Sequence, residues 1–512
     1  MLYVIQKLKL STLLFLYINV IIILDNIMKA VINMITINKD IQSEILMTTM
    51  EEIVPQDSLF RKIDKYIDFT FIYDEVKDLY CDNNGRPSID PVVLFKLVFI
   101  QALDGIKSMR KTCEKIKVDA EYRWFLNIPF GYDTPHFSTF SKNYERRFKD
   151  SDVFENIFIN IVNQAIKHNL VDGTTFYTDS THKKANANKG KYSDNIEQVA
   201  KKRREWLEEE INEERRKHNK REFKYEDEII NKDVRISTTD PESGYYHRDN
   251  KEKGFMYLDH RTVDDKCNII VDCYVTKGNV HDSNPYIERM EYLKRIFNFN
   301  IQKVALDSGY ATLDIKKYII DNNIFGVIGY RRFGSQESRQ EKNKYYYNKE
   351  YDVYVDKETG EVLEYSGKID RLGYKTYINL DKDKIVRRHI CEWMNERIRE
   401  YRISKEGKEL YKKRKEKVER SFADSKQNHG YRYAMHKGLI KNQHYTWLIC
   451  AAQNMKTISM KIENRQYEEY KTNDIRQILI KFIKKLRKFF QTKTSVIKNW
   501  GLSTIWKITL IA

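Results

Sequence analysis

The stretch Thr174–Thr181 has the sequence TTFYTDST, and it decides which fold the rest of the chain must complete. Its β-branched and aromatic residues are typical of a buried strand. The strand ends in an acid, Asp179, and the polar, basic sequence HKKANANKG follows soon after. A carboxylate at the end of a buried strand, next to a cationic loop, can hold a metal ion that meets a polyanion. The sequence therefore predicts a functional edge of a sheet at Asp179.

Two later segments supply acidic partners for this site. The sequence KVALDSGY is again an apolar strand that ends in an acid, Asp307. The segment Lys412–His429 is rich in helix formers, and its residues Glu419, Phe422 and Lys426 share one helical face. Two aspartates at strand ends and one glutamate on a helix are the parts of a divalent-metal site.

The composition favours a polyanionic partner. Among 512 residues, Lys and Arg number 91 and Asp and Glu 74, which gives a formal net charge of +17 and a pI of about 9.2. In a chain long enough for two or three domains, such an excess is typical of nucleic-acid binding, although a generally basic, solvated surface is the alternative. The six cysteines form no CxxC pair, so we expect reduced intracellular thiols and no zinc site.

The three acidic segments resemble the DDE transposases of bacterial insertion sequences, in particular the insertion-sequence 1182 group with its InsH-type amino-terminal domain. Asp307-Ser-Gly-Tyr310 is similar to the second signature of the family, which is an Asp, any residue, a Gly and an aromatic residue. Glu419 and Lys426, with six residues between them, are similar to the third signature.

The residues that precede the glutamate differ from the family pattern by one position. The family has an Arg four residues before the Glu and a Tyr seven residues before it. Here Lys415 and Lys412 occupy those positions, and Arg414 and Tyr411 are each displaced by one residue. The resemblance therefore assigns the upstream DNA contact to Lys415.

The resemblance implies a mixed α/β fold. We expect a ribonuclease-H-like, five-stranded mixed sheet with helices on both faces, an all-α, helix-turn-helix-like amino-terminal domain and a β-rich insertion before the last catalytic helix. The residue pattern agrees, because a hairpin, a helix and two more strands follow the first strand. The hairpin strands are predicted at Gly254–Thr262 and Asn268–Lys277, and the fifth strand at Phe325–Tyr330.

The resemblance also implies the chemistry. DNA cleavage and joining are in-line displacements at phosphorus, which two Mg²⁺ (or Mn²⁺) ions about 3.5–4 Å apart can promote. The inferred roles are Asp179 as the ligand of both metals, Asp307 as a ligand of one and Glu419 as a ligand of the other. Lys426 would hold a phosphate as a point charge. Tyr310 would orient the Asp307 loop or contact a DNA end.

The amino-terminal region is predicted to be a DNA reader. Asp90 and Ser108 are expected to cap helices, as side-chain acceptors at helix starts do. The segment Thr134–Phe148 predicts a basic, hydroxyl-rich helix that could enter a major groove, although such a helix could equally serve packing alone. The DNA-contact candidates on it are Ser138, Lys142, Arg146 and Arg147.

The predicted organisation has six parts. They are an apolar extension (1–46), a helical DNA-binding domain (47–150), the first part of the catalytic core (151–330), a β-rich insertion (331–403), the last part of the core with the Glu helix (404–462) and a basic amphipathic tail (463–512). The apolar run at 13–24 is shorter than the ~20 residues that span a bilayer, so it predicts an over-extended start or an amphipathic anchor.

Three further segments carry expectations about local structure. Glu197–Glu228 has 11 acidic and 10 basic residues and predicts a self-paired, solvent-facing helix. The tyrosine-rich sequence KYYYNKEYDVYVDKETGEVLEY predicts a pair of strands around the turn Glu358-Thr-Gly360, and Tyr374–Asn379 predicts another strand. A basic helix is expected through Ile385–Arg402.

The expected function is therefore that of a transposase which binds terminal inverted repeats and catalyses strand cleavage and transfer. Its partners would be double-stranded DNA, at the element ends and the target, and a second copy of the chain in the active complex. We expect a cytoplasmic, nucleoid-associated protein with no membrane partner. The alternatives are a catalytically inactive DNA-binding descendant of such an enzyme and a stand-alone metal-dependent nuclease.

Overall fold

The computed structural model describes residues 17–24, 47–81, 88–247, 252–330 and 344–497, without the side chains of 469–479 and 481–497. The chain divides into a unit Met1–Ile53 and a unit Val54–Ala512. In the first unit, residues 17–24 are helical with exposed apolar side chains, and α1 spans Met50–Ile53. Most of the apolar extension predicted at 1–46 lies outside the described residues. No helix among the described residues is both long and apolar enough to cross a bilayer.

Short helices build the amino-terminal part of the second unit. Side-chain caps fix where they begin: Asp90 accepts from the Val92 and Val93 amides, and Ser108 accepts from the Lys111 amide, as the sequence predicts. The helices are α2 Leu59–Tyr66, α3 Phe71–Val76, α4 Pro91–Leu103, α5 Met109–Val118, α6 Ala120–Phe125, α7 Ser138–Asn143 and α8 Val153–Lys167. A π-helical turn, Tyr144–Phe148, extends α7, and a 3₁₀ turn, Lys77–Leu79, follows α3.

A mixed sheet forms the centre of this unit. Its strands are β1 Thr175–Lys184, β4 Gly244–Tyr246, β5 Gly254–Asp264, β6 Ile270–Lys277, β7 Lys303–Leu306 and β8 Phe325–Ile328. β1 is antiparallel to β5 and parallel to β7, β7 is parallel to β8, and β6 pairs with β5 antiparallel. All five predicted strands are present. The sixth strand, β4, was not predicted, because three residues are too few to show a period-2 pattern.

Helices cover both faces of this sheet. Along β6, Cys273 lies against Cys450, whereas its neighbour Asp272 pairs with Arg289 from the other side at 2.6 Å. Successive residues of a strand point to opposite faces, so the helices that carry Cys450 and Arg289 lie on different faces of the sheet. The remaining helices are α9 Glu205–Lys217, α10 Tyr286–Phe297, α11 Leu313–Asp321, α12 Glu392–Ile403, α13 Lys405–Lys413, α14 Val418–Asn428 and α15 Leu439–Ile497.

The helical region and the sheet share one hydrophobic core. α15 packs against α2, α4 and α8 as well as against β6. Buried residues from Phe60 to Ile462 accordingly belong to a single cluster. The boundary predicted near residue 150 therefore does not separate two cores, because the closing helix of the sheet also covers the amino-terminal helices.

The β-rich insertion is a sheet of its own. Its five antiparallel strands are ordered β13-β12-β11-β10-β9, and their bounds are β9 Tyr345–Asn348, β10 Val353–Asp356, β11 Val362–Ile369, β12 Tyr374–Ile378 and β13 Ile385–His389. The predicted turn at 358–360 joins β10 to β11. The prediction of a helix through Ile385–Arg402 is wrong in its first part, because β-branched Ile385 and Val386 lie in β13 and the helix begins only at Glu392.

The charged segment predicted as one helix, Glu197–Glu228, is mostly not helical. Its start belongs to β2, Tyr192–Ala200, which pairs with β3, Ile229–Ser237, as a two-stranded ribbon. Only α9 in the middle is helical. Within α9, Lys217 and Glu214 pair at helical spacing, 3.9 Å apart, whereas the flanking residues form strands or loop.

Candidate active site

Asp179 lies where the parallel part of the sheet ends. The strand that carries it is longer than predicted, because β1 continues for five residues beyond Asp179. The parallel pairing of β1 with β7 ends at Thr178 and Leu306. Asp179 and Asp307 are the next residues of the two strands, so the ends of neighbouring parallel strands bring these carboxylates to the same edge, as the sequence predicts.

The Asp307 loop is fixed against β1 by a fourth acid. Asp307 precedes a 3₁₀ turn, Ser308–Tyr310, and its side chain is 46% exposed. Asp282 accepts a hydrogen bond from the Ser180 hydroxyl at 2.7 Å. A Cβ atom on Gly309 would lie 3.0 Å from the Asp282 carboxylate, so a larger residue there would require this side chain to shift by a few tenths of an ångström.

An arginine lies between the three predicted carboxylates. Arg414 Nη2 is 2.5 Å from Asp179 Oδ2, and Nη1 is 3.7 Å from Asp307 Oδ1 and 4.0 Å from Glu419 Oε1. The guanidinium is 7% exposed, so the ion pair with Asp179 is largely shielded from solvent. Three acids from β1, the loop after β7 and α14 thus converge on one cation.

A break in the predicted helix brings Arg414 there. The segment Lys412–His429 is not one helix: α13 ends at Lys413, a 3₁₀ turn covers Arg414–Glu416, and Lys417 has φ −103° and ψ −94° before α14 begins. The turn compensates for the one-residue displacement from the family pattern. Lys415, predicted to take the place of the arginine, is instead exposed and makes no contact with the three acids among the described contacts.

Tyr411 also reaches the site despite its displacement in the sequence. A Cβ atom on Gly329 would lie 2.6 Å from the Tyr411 hydroxyl and 2.9 Å from the Ser308 amide nitrogen. Tyr411 therefore packs beside the loop that carries Asp307. The sequence does contain a signal for this placement. Tyr411 and Arg414 are three residues apart, as the Tyr and Arg of the family are, although each is one residue further from Glu419.

α14 presents Glu419 and Lys426 on the same face, as predicted. Glu419 is in the first turn and is 46% exposed, and Phe422 is buried between them. Lys426 Nζ donates to Thr181 Oγ1 at 2.5 Å, two residues beyond Asp179 on β1. Lys426 thus ends beside the strand that carries the first aspartate.

A buried arginine that holds α14 on the sheet was not predicted from the sequence. Arg261 lies opposite Asp179 in the β1–β5 register and pairs with Asp259 at 2.9 Å. Its Nη1 donates to the hydroxyls of Ser421 and Ser425 at 3.1 and 2.8 Å. The two serines are on α14, so Arg261 fixes the helix that carries Glu419.

Burial sets the protonation of the site. It raises the pKa of Asp179 to about 6, although the Arg414 guanidinium acts in the opposite direction. Burial also lowers the pKa of Lys426 below its ordinary value. A nearby cation therefore favours the charged form of Asp179 against the effect of burial.

Tyr310 is not where a DNA contact requires it. The side chain is 1% exposed and packs edge-on against Tyr286, with ring centroids 5.5 Å apart. A buried ring cannot meet a DNA end without a rearrangement, so that part of the prediction is not supported by the structure. Its position beneath the Asp307 loop agrees with the alternative role of orienting that loop.

The candidate DNA-contact residues of the amino-terminal region have different environments. Lys142 and Arg146 are exposed. The Ser138 hydroxyl is 2.9 Å from His136 Nδ1, and Arg147 lies over the Tyr80 ring at 4.5 Å. Arg147 thus serves packing. Among the described contacts, none joins these residues to the carboxylates around Arg414.

The three carboxylates are suitable ligands for Mg²⁺, but in this structure they surround the Arg414 guanidinium. Carboxylate oxygens are the protein ligands that Mg²⁺ prefers, at 2.0–2.1 Å. In the described part of the chain, no three His, Cys, Asp or Glu side chains are arranged to hold a metal ion. The reason is local: the acids surround the Arg414 guanidinium, which takes up the space between them.

Comparison with known families identifies two regions of the chain. Residues 48–146 match the model described as "Transposase domain (DUF772)", and residues 379–459 match the model described as "Transposase DDE domain". The second match contains Glu419 and Lys426, whereas Asp179 and Asp307 lie between the two matched regions. No curated protein matches the chain.

Two solved structures have a distant likeness. A piggyBac transposase synaptic complex with hairpin DNA has 9% identity and a TM-score of 0.31, over 80% of this chain and 74% of that one. A Mos1 transposase paired-end complex with the left transposon end has 10% identity and a TM-score of 0.15, over 52% and 73%. These values are too low to carry an argument about the fold. The two family matches, to a transposase domain and to a transposase DDE domain, support a DDE transposase of an insertion-sequence type.

Proposed function

We propose that Asp179, Asp307 and Glu419 are the metal ligands with which this DNA transposase cleaves and joins DNA strands. The observation that carries the proposal is the convergence of these three carboxylates, from three separate elements, on Arg414. Three acids that meet at one point repel each other unless a cation lies between them. In the resting protein that cation is Arg414, and in the active complex it would be the metal.

The sheet order supports the finer assignment of a ribonuclease-H-like core. Without the three-residue β4, the strands of this sheet can be numbered one to five along the chain as β1, β5, β6, β7 and β8. They lie in the spatial order 3-2-1-4-5, and only the second strand runs antiparallel to its neighbours. The first acid is on the first strand, the second follows the fourth strand, and the third is on a late helix. This is the arrangement that the family resemblance implied.

The chain's own residues would act on the scissile phosphate as follows. When bound, two Mg²⁺ (or Mn²⁺) ions would supply the charge that activates water or a 3′-hydroxyl and supports the departing oxygen. Asp179 would ligate both ions, Asp307 one and Glu419 the other. Lys426 would hold a phosphate oxygen from its place beside Thr181. Arg414, released from the acids, would be free to pair with a phosphate.

The proposed substrate is the pair of terminal inverted repeats of the element. The helical region 47–150 would bind the repeats, with exposed Lys142 and Arg146 contacting phosphates. Two ends must be held together for transfer, so we include a homodimer in the proposal. Membership of the insertion-sequence 1182 group, and action at the nucleoid, belong to the same proposal.

The alternative of a catalytically inactive descendant loses part of its support. That alternative rested on the displaced Arg and Tyr and on the absence of a Cys cluster before the Glu helix, and Arg414 and Tyr411 both lie at the site in the folded chain. An assay of strand transfer with paired ends distinguishes a transposase from a nuclease without joining activity, because the nuclease would cleave the DNA and form no joined product.

The test replaces each acid singly. We expect Asp179→Ala, Asp307→Ala and Glu419→Ala each to lower metal-dependent strand transfer by at least about 10³-fold, because phosphoryl transfer without ligated metal loses most of its charge stabilisation. Binding of end DNA, measured by gel shift, should survive. Glu416→Ala is the matched control, since Glu416 is an exposed acid three residues before Glu419 and outside the cluster. Transfer at the control's level in any of the three variants removes that residue from the site.

A further inference from the structure

The ribbon of β2 and β3 has an open edge. The two strands form nine pairs, Tyr192–Ala200 with Ile229–Ser237, with no register shift. All nine residues of β2 are exposed. β3 runs beside β4, whereas among the described elements only β3 packs extensively against β2. The outer backbone groups of β2 are therefore available to another strand.

This edge lacks most of the features that keep edge strands from pairing. Exposed edges are usually protected by charged side chains, especially Lys, by Pro, by a β-bulge or by a covering element. The β2 sequence YSDNIEQVA contains no Lys, Arg or Pro, and the ribbon contains no bulge. Its central residue, Ile196, is apolar and 69% exposed. An unprotected nine-residue edge with an apolar centre is suited to accept a strand.

We propose that β2 pairs antiparallel with β2 of a second copy of the chain, about a two-fold axis that passes through Ile196. The proposal names the surface of the homodimer included above, but it concerns self-association alone and does not depend on catalysis. A two-fold contact of this kind is self-complementary and closed. The product is a continuous four-stranded sheet with the order β3-β2-β2-β3.

The sequence of β2 selects this register. Ile196 is the fifth of nine residues, so an axis there pairs the whole strand. Asp194 of one copy then lies opposite Gln198 of the other, and Asn195 lies opposite Glu197, so no like charges meet. An axis through Glu197 would place two glutamates opposite each other, which is unfavourable, and would leave Tyr192 and Ser193 unpaired. Nine antiparallel pairs correspond to about eight to ten backbone hydrogen bonds.

The charges of β2 itself disfavour the other obvious occupant, a DNA backbone. A DNA backbone requires cations, since each phosphate carries one negative charge. β2 contains two acids, Asp194 and Glu197, and no cation. A strand from a different protein would also fit the open edge, and the test below distinguishes that outcome.

The first experiment is disulfide cross-linking of the full chain without DNA. Cys81 and Cys267, the cysteines that are not buried, are replaced by Ser, and Ile196→Cys or Val199→Cys is then added. A two-fold axis at Ile196 brings the two Cα atoms to about 4.5–5.5 Å, within disulfide range. The two copies of Val199 would be about 20 Å apart. With oxidised glutathione, we expect Ile196→Cys to form the cross-linked dimer at least tenfold faster than Val199→Cys. Equal rates, or no cross-linked Ile196→Cys, overturn the proposal.

The second experiment measures the oligomeric state by sedimentation at micromolar concentration. The wild-type chain should be a dimer, and Ile196→Lys should raise the dissociation constant at least tenfold, because two lysines would lie opposite each other. Ile229→Lys is the matched control, since Ile229 is 66% exposed on the other strand of the ribbon. Unchanged melting temperatures exclude misfolding. A monomeric wild-type chain, or equal effects of both substitutions, contradicts the proposal. Neither readout involves metal or DNA, so failure here leaves the proposed catalytic site unaffected.

Discussion

Arg414 accounts for how three acids can lie together in the absence of metal. Its guanidinium contacts Asp179 directly and lies within 4.0 Å of Asp307 and Glu419. Burial alone would favour protonation of Asp179, and the adjacent guanidinium counteracts that effect. The same position makes Arg414 a competitor of Mg²⁺ for these oxygens. Metal binding and the release of Arg414 are therefore expected to occur together.

Replacing Arg414 should consequently strengthen metal binding while it weakens strand transfer. We expect Arg414→Ala to bind Mn²⁺ about tenfold more tightly than the wild-type chain in the absence of DNA, since a unit charge about 4 Å from the acids is removed. Isothermal titration of Mn²⁺ measures this effect. Lys415→Ala, which removes the neighbouring exposed cation, is the control and should leave the affinity almost unchanged. An unaltered or weaker affinity in Arg414→Ala would show that the guanidinium does not compete with metal.

At the scale of elements, the basic helix near residue 140 combines two roles. Lys142 and Arg146 are exposed, whereas Arg147 stacks on Tyr80 and bonds to Asn143. The sequence shows three cations on one helix and gives no means of separating them. The structure separates them, because Arg147 lies over the half-buried Tyr80 ring and donates to Asn143, whereas Lys142 and Arg146 are exposed.

These two roles predict different outcomes. Lys142→Ala combined with Arg146→Ala should weaken binding of end DNA and flatten its salt dependence by about 2 in the log–log slope, because two phosphate contacts are lost. Arg147→Ala should instead lower the melting temperature and leave the slope unchanged. Fluorescence anisotropy across a salt series measures the slopes, and calorimetry measures the melting temperatures. Equal slopes for the double variant and the wild-type chain would mean that neither cation contacts DNA.

The sequence was informative where an acid follows a run of apolar residues or recurs at helical spacing. Asp179 ends the apolar part of β1, Asp307 follows β7, and Glu419 shares a helical face with Phe422 and Lys426, so their placement could be predicted. The contact of Arg414 with the acids could not be predicted. It depends on the 3₁₀ turn at Arg414–Glu416, which redirects the side chain and which the spacing between Arg414 and Glu419 does not reveal. Arg261 was missed for another reason: a cation on a strand has the same pattern whether it is exposed or, as here, fully buried against α14.

For the whole molecule, the important feature is that the amino-terminal helices and the catalytic sheet share one core. The two regions that match transposase models, 48–146 and 379–459, are far apart in sequence. α15 joins them within the second unit, because it packs on α2, α4 and α8 and also on β6. We therefore expect residues that bind the element end to keep a fixed position relative to Asp179, rather than to move as a separate domain.

The central claim is that Asp179, Asp307 and Glu419 form one metal site, and anomalous scattering from Mn²⁺ in crystals with end DNA tests it most directly. The account predicts anomalous peaks about 2.0–2.2 Å from oxygens of all three carboxylates, with the Arg414 guanidinium displaced towards a phosphate. Manganese bound elsewhere, or Arg414 still between the acids while DNA is bound, would contradict it.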